Sequence, residues 1–392
     1  LFVVGCAWFL LRLLRKGGGD TVGYRKEDLW LIGSLLVIGV SGFVLEGFRI
    51  IREATPHPEI SFVGGGCSLV LGVFGVDQEN VSMPHFLTWW GHSLLVFAFI
   101  ASLPFTRLML VVAGTMNLCL VRKRLGQMVP ISMEELEETG KTGVEHVHEF
   151  TRLQLMSLDA CVACGRCTDA CPATEAGKPL SPMSIVQDIR TQFNSAGPLV
   201  AAARRAGGDE EALAELDVPR LHGDVIAAES LWSCTTCNAC NDVCPLGVSP
   251  VEFITDMRRF QVGNGELSGP PAVSLQKVQR SGNPWGLPAR ERFAWAEGLD
   301  VPTVKSNPEF EVLYWIGCSA SYDRRVQKVA QAVVKLLDVA GVNYATLGPE
   351  ERCTGEFARR MGDEFLFQEL AETNVEVLGR YQVKQVITHC PH

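Results

Sequence analysis

Two cysteine runs carry the most explicit chemistry in this sequence. The first is Cys161-Val162-Ala163-Cys164-Gly165-Arg166-Cys167-Thr168-Asp169-Ala170-Cys171-Pro172. The second is Cys234-Thr235-Thr236-Cys237-Asn238-Ala239-Cys240-Asn241-Asp242-Val243-Cys244-Pro245. Their spacing is the same. In such a run three cysteines in a tight loop reach three irons of one cubane, while the fourth, followed by proline, ligates the neighbouring cluster. Cys161, Cys164, Cys167 and Cys244 are therefore expected to hold one [4Fe–4S] cluster. Cys234, Cys237, Cys240 and Cys171 are expected to hold the other. The exchanged ligands would set the two close enough for rapid electron transfer. A pair of zinc sites is the bland alternative, but a tetrahedral ion has no use for this doubled pattern.

Three more cysteines follow segments of strand character. Apolar stretches at 311–316, 343–347 and 382–388 alternate with helical periodicity at 323–340 and 356–378. That order is β-α-β-α-β, which implies a parallel sheet. Cys318, Cys353 and Cys390 lie just beyond the three strands, on the sheet edge where ligands usually bind. Three converging thiols form a third candidate metal centre, with a fourth ligand expected past the end of the chain. The alternative is three buried structural cysteines.

The elements before residue 122 are of another kind. Residues 1–14 read as the tail of a membrane span whose start is missing. Residues 28–48 and 85–105 are each long enough to cross a bilayer. The stretch 60–76 is short and rich in glycine. If it does not span, Arg12, Arg15, Lys16, Arg25 and Lys26 fall on the same side as Arg122, Lys123 and Arg124, with only Arg49 and Arg52 opposite. The positive-inside rule selects that arrangement. It gives three spans, an outer or interfacial segment at 49–84 and a cytoplasmic carboxyl-terminal part, in a multi-pass protein of the cell (inner) membrane. His85 and His92 are two helical turns apart and share a face with Trp89 and Trp90 nearby. His85 reads as an interfacial histidine. His92 lies deeper, where an imidazole needs a partner. It is either part of the aromatic belt or an axial ligand of haem.

The chain has 392 residues, fourteen cysteines and a net charge of −9. The acidic balance argues against nucleic acid as a partner. The clustering of eight cysteines points to metal and away from disulfides. The expected organisation is multi-domain. An α-helical membrane domain at 1–121 is followed by a polar helical connector at 122–158, where His146 and His148 read as a solvated face. An α-helical two-[4Fe–4S] ferredoxin domain occupies 159–262, since the segment between its motifs favours helix. An irregular linker rich in Gly and Pro covers 263–309, and an α/β cysteine-rich domain fills 310–392. Opening at Leu1 inside an apolar run and stopping at His392, the chain reads as a piece of a longer protein.

This order of parts resembles the membrane-bound iron–sulfur oxidoreductases related to heterodisulfide reductase, in which a membrane domain similar to the cytochrome b subunit of nitrate reductase is joined to a two-cluster ferredoxin domain and a cysteine-rich domain. Beyond the two cysteine runs, the resemblance rests on Asn283-Pro284-Trp285-Gly286-Leu287, Gly317-Cys318, Cys353-Thr354-Gly355 with Arg359-Arg360, and Cys390-Pro391-His392. The branch it most resembles is proposed to act between electron-transfer flavoprotein and menaquinone. Membership implies electron flow from a soluble flavoprotein through the clusters to a quinone. Two rival roles are a non-catalytic electron conduit in a larger respiratory complex and a thiol–disulfide enzyme. Thr354 stands where the family's cysteine-rich domains often carry a second cysteine. That departure argues against a disulfide-cleaving centre and suits a third [4Fe–4S] cluster on Cys318, Cys353, Cys390 and one further ligand. In the membrane part His92 matches one histidine of the family's last helix, which implies one haem b. Leu110 stands where the second histidine would be, and the helix with the opposing ligands is expected before Leu1.

Overall fold

The computed structural model describes residues 1–15, 26–106, 108–120, 128–132, 134, 136–137, 140–208, 212–213 and 216–390. The chain divides into two compact units. The first comprises Leu1–Val121 with Met156–Cys164 and Leu246–Val248, and the second holds the remainder.

Five helices build most of the first unit: α1 (Phe2–Arg15), α2 (Lys26–Glu53), α3 (Phe62–Val73), α4 (Ser82–Ser102) and α5 (Met109–Leu120). Segments Asp28–Glu53 and Ser82–Phe105 are long and apolar enough to cross a membrane. Their apolar side chains face outward, with Val37, Val40, Leu94 and Phe97 exposed. The glycine-rich stretch forms α3, whose twelve residues cover only about 18 Å. Gly64 lets it lie on α2, because a Cβ there would fall 2.4 Å from Glu46 Cγ. Near the end of α2, Arg49 pairs with Glu46 and Glu53. Of the residues in the charge comparison, Lys16, Arg25 and Arg122 to Arg124 lie outside the described residues, as do the side chain of Lys26 and the residues Pro391 and His392.

One expectation about this unit is corrected. His92 and Leu110 do not share a continuous helix. Pro104 sits in a 3₁₀ turn, Leu103–Phe105, that ends α4, and Leu110 belongs to α5. Proline cannot donate the helical hydrogen bond, so the chain breaks there.

In the second unit each cysteine run is followed by a serine-capped helix. Ser181 Oγ accepts from Ser184 N and starts Pro182–Arg205. Ser249 Oγ accepts from Glu252 N and starts Pro250–Gly263. In both, proline occupies the first helical position, where its missing N–H costs nothing. Ile185, Val186 and Ile189 are buried from the first helix and Phe253, Ile254 and Met257 from the second.

The carboxyl-terminal part is α/β as expected. Strands β1 (Val312–Trp315), β2 (Tyr344–Ala345) and β3 (Val386–Thr388) form a parallel sheet in the order β2-β1-β3. Leu313 and Tyr314, both wholly buried, centre its two faces. Residues 263–309 are more ordered than their Gly and Pro content suggests. They contain the helix Pro270–Ser281 and a 3₁₀ segment, Ala289–Ala296, whose Trp295 joins the sheet's core. The helix expected over 356–378 is two helices, Glu356–Met361 and Glu364–Arg380. Gly362 separates them at φ 103°, and Asp363 caps the second by accepting from Leu366 N. In the described part of the connector, a 3₁₀ turn, Val147–Glu149, precedes the helix Arg152–Ala160. The connector's histidines are half-buried, with their rings stacked 5.7 Å apart, and Glu149 accepts from the Glu145 and His146 N–H groups.

Gly362 marks the closest packing of the cysteine-rich part on helix Pro250–Gly263. A Cβ there would lie 2.6 Å from the Arg258 carbonyl carbon and the Arg259 nitrogen. Backbone cannot yield as a flexible side chain can. Gly362→Ala should lower stability by about 2–4 kcal/mol, combining a left-handed backbone cost with overpacking. The check is a lower denaturant midpoint followed by tryptophan fluorescence.

Candidate iron–sulfur sites

The two cysteine runs fold alike. Ala163 and Gly165 take φ values of 52° and 82°, and their counterparts Thr236 and Asn238 take 54° and 62°. Left-handed backbone costs a non-glycine residue about 1–2 kcal/mol and persists only where its surroundings require it. Here it turns N–H groups inward. Thr236 N donates to Cys234 Sγ at 3.3 Å. A single helical turn follows each loop, Arg166–Asp169 and Ala239–Asp242.

Cys234, Cys237 and Cys240 line a small cavity together with Cys171 of the first run. Leu180, Val251 and Ile254 give it apolar walls. Cys171 and Cys240 are buried. Burial pushes the Cys240 thiol up to about 12, and the neighbouring Cys234, Cys167, Cys237 and Cys171 add to the rise. Burial raises Cys234 as well. Four thiolates could not sit here alone, so the donor set calls for a positively charged body to gather them. Among the described residues, no three His, Cys, Asp or Glu side chains close around a single metal ion. Of the other expected set, Cys161 and Cys164 belong to the first unit and Cys167 and Cys244 to the second.

Buried arginines fasten the second loop. Arg258 donates to the carbonyls of Leu231 and Cys234 at 2.7 Å and to that of Arg360 at 3.1 Å. Its guanidinium lies over the Trp232 ring. Arg360 donates in turn to Thr235 O at 3.2 Å. Arg359 and Arg259 both pair with the buried Glu364, at 3.1 and 2.9 Å. The Arg359-Arg360 pair thus ties the cysteine-rich fold to the loop of Cys234 and Cys237.

The third group of cysteines also comes together. Trp315 pairs in register with Thr388, so two residues on, Gly317 and Cys390 are neighbours. A Cβ at Gly317 would stand 3.9 Å from Cys390 Sγ. Interaction with the Cys318 thiol lowers the Cys353 thiol from its ordinary value, against the effect of burial. Gly355 N donates to Cys353 Sγ at 3.5 Å. The Asn283–Leu287 turn supports this edge. Asn283 is buried, donates to Leu287 O at 2.7 Å and accepts from Leu287 N at 3.1 Å. Gly282 O then accepts from Cys353 N at 3.1 Å.

In the membrane-like unit, His92 Nδ1 lies 2.8 Å from Ser41 Oγ on α2. That contact fixes the ring and leaves Nε2 as the nitrogen that could bind iron, the usual arrangement for a metal-ligating histidine. His85 instead meets Arg52, with its Nδ1 3.4 Å from Nη1. Ser41, Arg258, Arg292 and Glu351 escaped sequence reasoning. No periodicity or spacing marks a charged residue destined for burial, and Ser41 looks like any small helix residue.

Cys237→Ala should remove one cluster's complement of iron and acid-labile sulfide and destabilise the second unit. His146→Ala, in the stacked pair outside the cavity, should leave both contents unchanged. Colorimetric iron and sulfide assays on the purified proteins decide this.

Comparison with known proteins agrees with the geometry. The family model described as a 4Fe-4S dicluster domain matches residues 157–248, and that described as a cysteine-rich domain matches residues 312–392. The chain is 37% identical over 425 aligned residues to the probable iron-sulfur-binding oxidoreductase FadF of Bacillus subtilis, covering 100% of this chain and 59% of the relative. It is 34% identical to the EtfAB:quinone oxidoreductase of Syntrophomonas wolfei, over 94% of this chain and 55% of the relative. It is 32% identical to one component of the dihydromethanophenazine:CoB–CoM heterodisulfide reductase of Methanosarcina barkeri, over 61% of this chain and 56% of the relative. The chain thus spans little more than half the length of these curated relatives. No solved structure matches it. With a dicluster domain, a cysteine-rich domain and relatives of these kinds, the chain is similar to the iron–sulfur oxidoreductases related to heterodisulfide reductase.

Proposed function

We propose that this oxidoreductase carries electrons from a soluble flavoprotein to a quinone in the membrane. The observation that carries the reading is Cys171 in one cavity with Cys234, Cys237 and Cys240. These four hold one [4Fe–4S] cluster. By the same exchange, Cys161, Cys164, Cys167 and Cys244 hold its neighbour. Cys318, Cys353 and Cys390 supply three ligands of a third cluster. Bound clusters supply one-electron transfer. The chain's own residues fix the ligands, exclude water with apolar walls and lock the dicluster loop onto the cysteine-rich fold through Arg258 and Arg360. None of these tasks needs a general acid or base.

The donor and acceptor follow from family. A relative that aligns with nearly all of this chain is named for EtfAB and quinone. Reduced electron-transfer flavoprotein is therefore the proposed donor and menaquinone the proposed acceptor. The acceptor side belongs to the inner membrane, an assignment supported by the length and apolar character of α2 and α4. The cluster-bearing parts belong to the cytoplasm. His92, held by Ser41, is the residue proposed to bind a haem b, which would supply one-electron transfer. Thr354 weighs against a disulfide as the substrate.

The test uses the full-length natural protein, purified alone. Given reduced electron-transfer flavoprotein, it should reduce a menaquinone analogue and carry haem b by its absorption spectrum. Reduction only in the presence of further subunits would favour the conduit role. Consumption of a disulfide with the quinone left oxidised would favour the thiol–disulfide role.

A further inference from the structure

Arg292 is among the most deeply buried charges in the second unit, with 3% of its surface exposed. It lies in the 3₁₀ segment Ala289–Ala296, outside both cysteine runs and all three strands. One of its nitrogens, Nη2, is 3.0 Å from Cys318 Sγ. The other, Nη1, is 2.9 Å from Glu351 Oε1. Glu351 is 2% exposed and itself immobilised, since its carboxylate accepts from Ile316 N at 2.9 Å and Gly317 N at 2.8 Å. The guanidinium also reaches Gly282 O at 3.4 Å and lies 5.6 Å from the Tyr322 ring centre.

A buried ion pair that served packing alone would spend its donors on its counter-ion and nearby carbonyls. This one aims a charged N–H at the sulfur of a candidate ligand. The contrast with Arg258 is direct, because its Nη groups all go to backbone carbonyls. A planar guanidinium clamped by a fixed carboxylate is preorganised for this. Hydrogen bonds to cluster sulfurs and local charge set reduction potentials, and a fixed cation favours the state that holds one more electron. Screening by water is weak at this depth.

We propose that Arg292 raises the reduction potential of the third iron–sulfur centre by donating to the Cys318 sulfur, with Glu351 as the strut that holds it. The proposal rests on the reading that Cys318, Cys353 and Cys390 bind a cluster. Reduction adds one electron to that centre, drawn from the soluble donor, and no bond is made or broken. An electron at that centre is thereby more stable than it would be without Arg292.

The test is a redox titration of the full-length protein with dithionite and mediators, monitored by electron paramagnetic resonance, together with iron content. Arg292→Met/Glu351→Gln removes both charges and leaves no buried ion unpaired. It should keep its iron but lower the third centre's reduced-to-oxidised ratio at least tenfold at a given potential, about 59 mV for a one-electron couple. The other two centres should not move. An unchanged third potential with full iron overturns the proposal, whereas a wild-type protein lacking the third centre's iron overturns the reading beneath it. If the double variant loses that iron, Arg292→Lys decides. It retains the charge but not the fork, and should show a smaller shift in the same direction, while no shift overturns the proposal.

Discussion

The meeting of one thiol from the first cysteine run with three from the second constrains everything else in the cluster-bearing part. Cys171 and Cys234 are far apart in sequence yet line one cavity. Closing so long a loop is entropically unfavourable, and gathering buried thiolates is electrostatically unfavourable. Burial and mutual repulsion, which raise Cys240 and Cys234, measure the second cost. A cluster held by all four sulfurs, as proposed, would offset both. The serine-capped helices, the left-handed loops and the prolines after each fourth cysteine are the scaffold that puts the sulfurs within its reach.

That scaffold extends into the cysteine-rich fold. Helix Pro250–Gly263 contributes Ile254 to the cavity wall and Arg258 and Arg259 to the opposite contacts. One arginine grips the Cys234 loop and the other pairs with Glu364. Gly362 lets the two backbones touch. These contacts leave little freedom for a hinge between the second cluster loop and the third cysteine group. A fixed spacing suits electron transfer, which depends on separation and not on a shaped substrate pocket.

Much of this was legible in the sequence. Identical cysteine spacing and the proline after each fourth cysteine specify local ligation, so the grouping around Cys234 could be stated without coordinates. The parallel sheet followed from alternating apolar strands and amphipathic helices. Cys318, Cys353 and Cys390 share an edge because parallel strands end together. Other features depend on tertiary partners that no local pattern encodes. Helix Pro270–Ser281 hides behind Gly and Pro that serve as its boundaries. The break at Gly362 lies within a stretch of helical periodicity and is dictated by a neighbouring backbone. His146 and His148 sit among charged residues, which suggested a solvated face, yet they stack on one another because Glu149 folds the connector back. Arg292 and Glu351 are invisible for a similar reason, since composition places charge at the surface unless a partner is known.

The central claim is the crossing of the fourth ligands, and the reduced full-length protein can reveal it by electron paramagnetic resonance. Replacing Cys171 by serine should alter the same cluster signal that is lost when Cys237 is replaced, and leave unaltered the signal that depends on Cys164. If the Cys171 substitution instead disturbs the Cys164-dependent signal, each run binds its own cluster with all four of its cysteines, and the account is wrong.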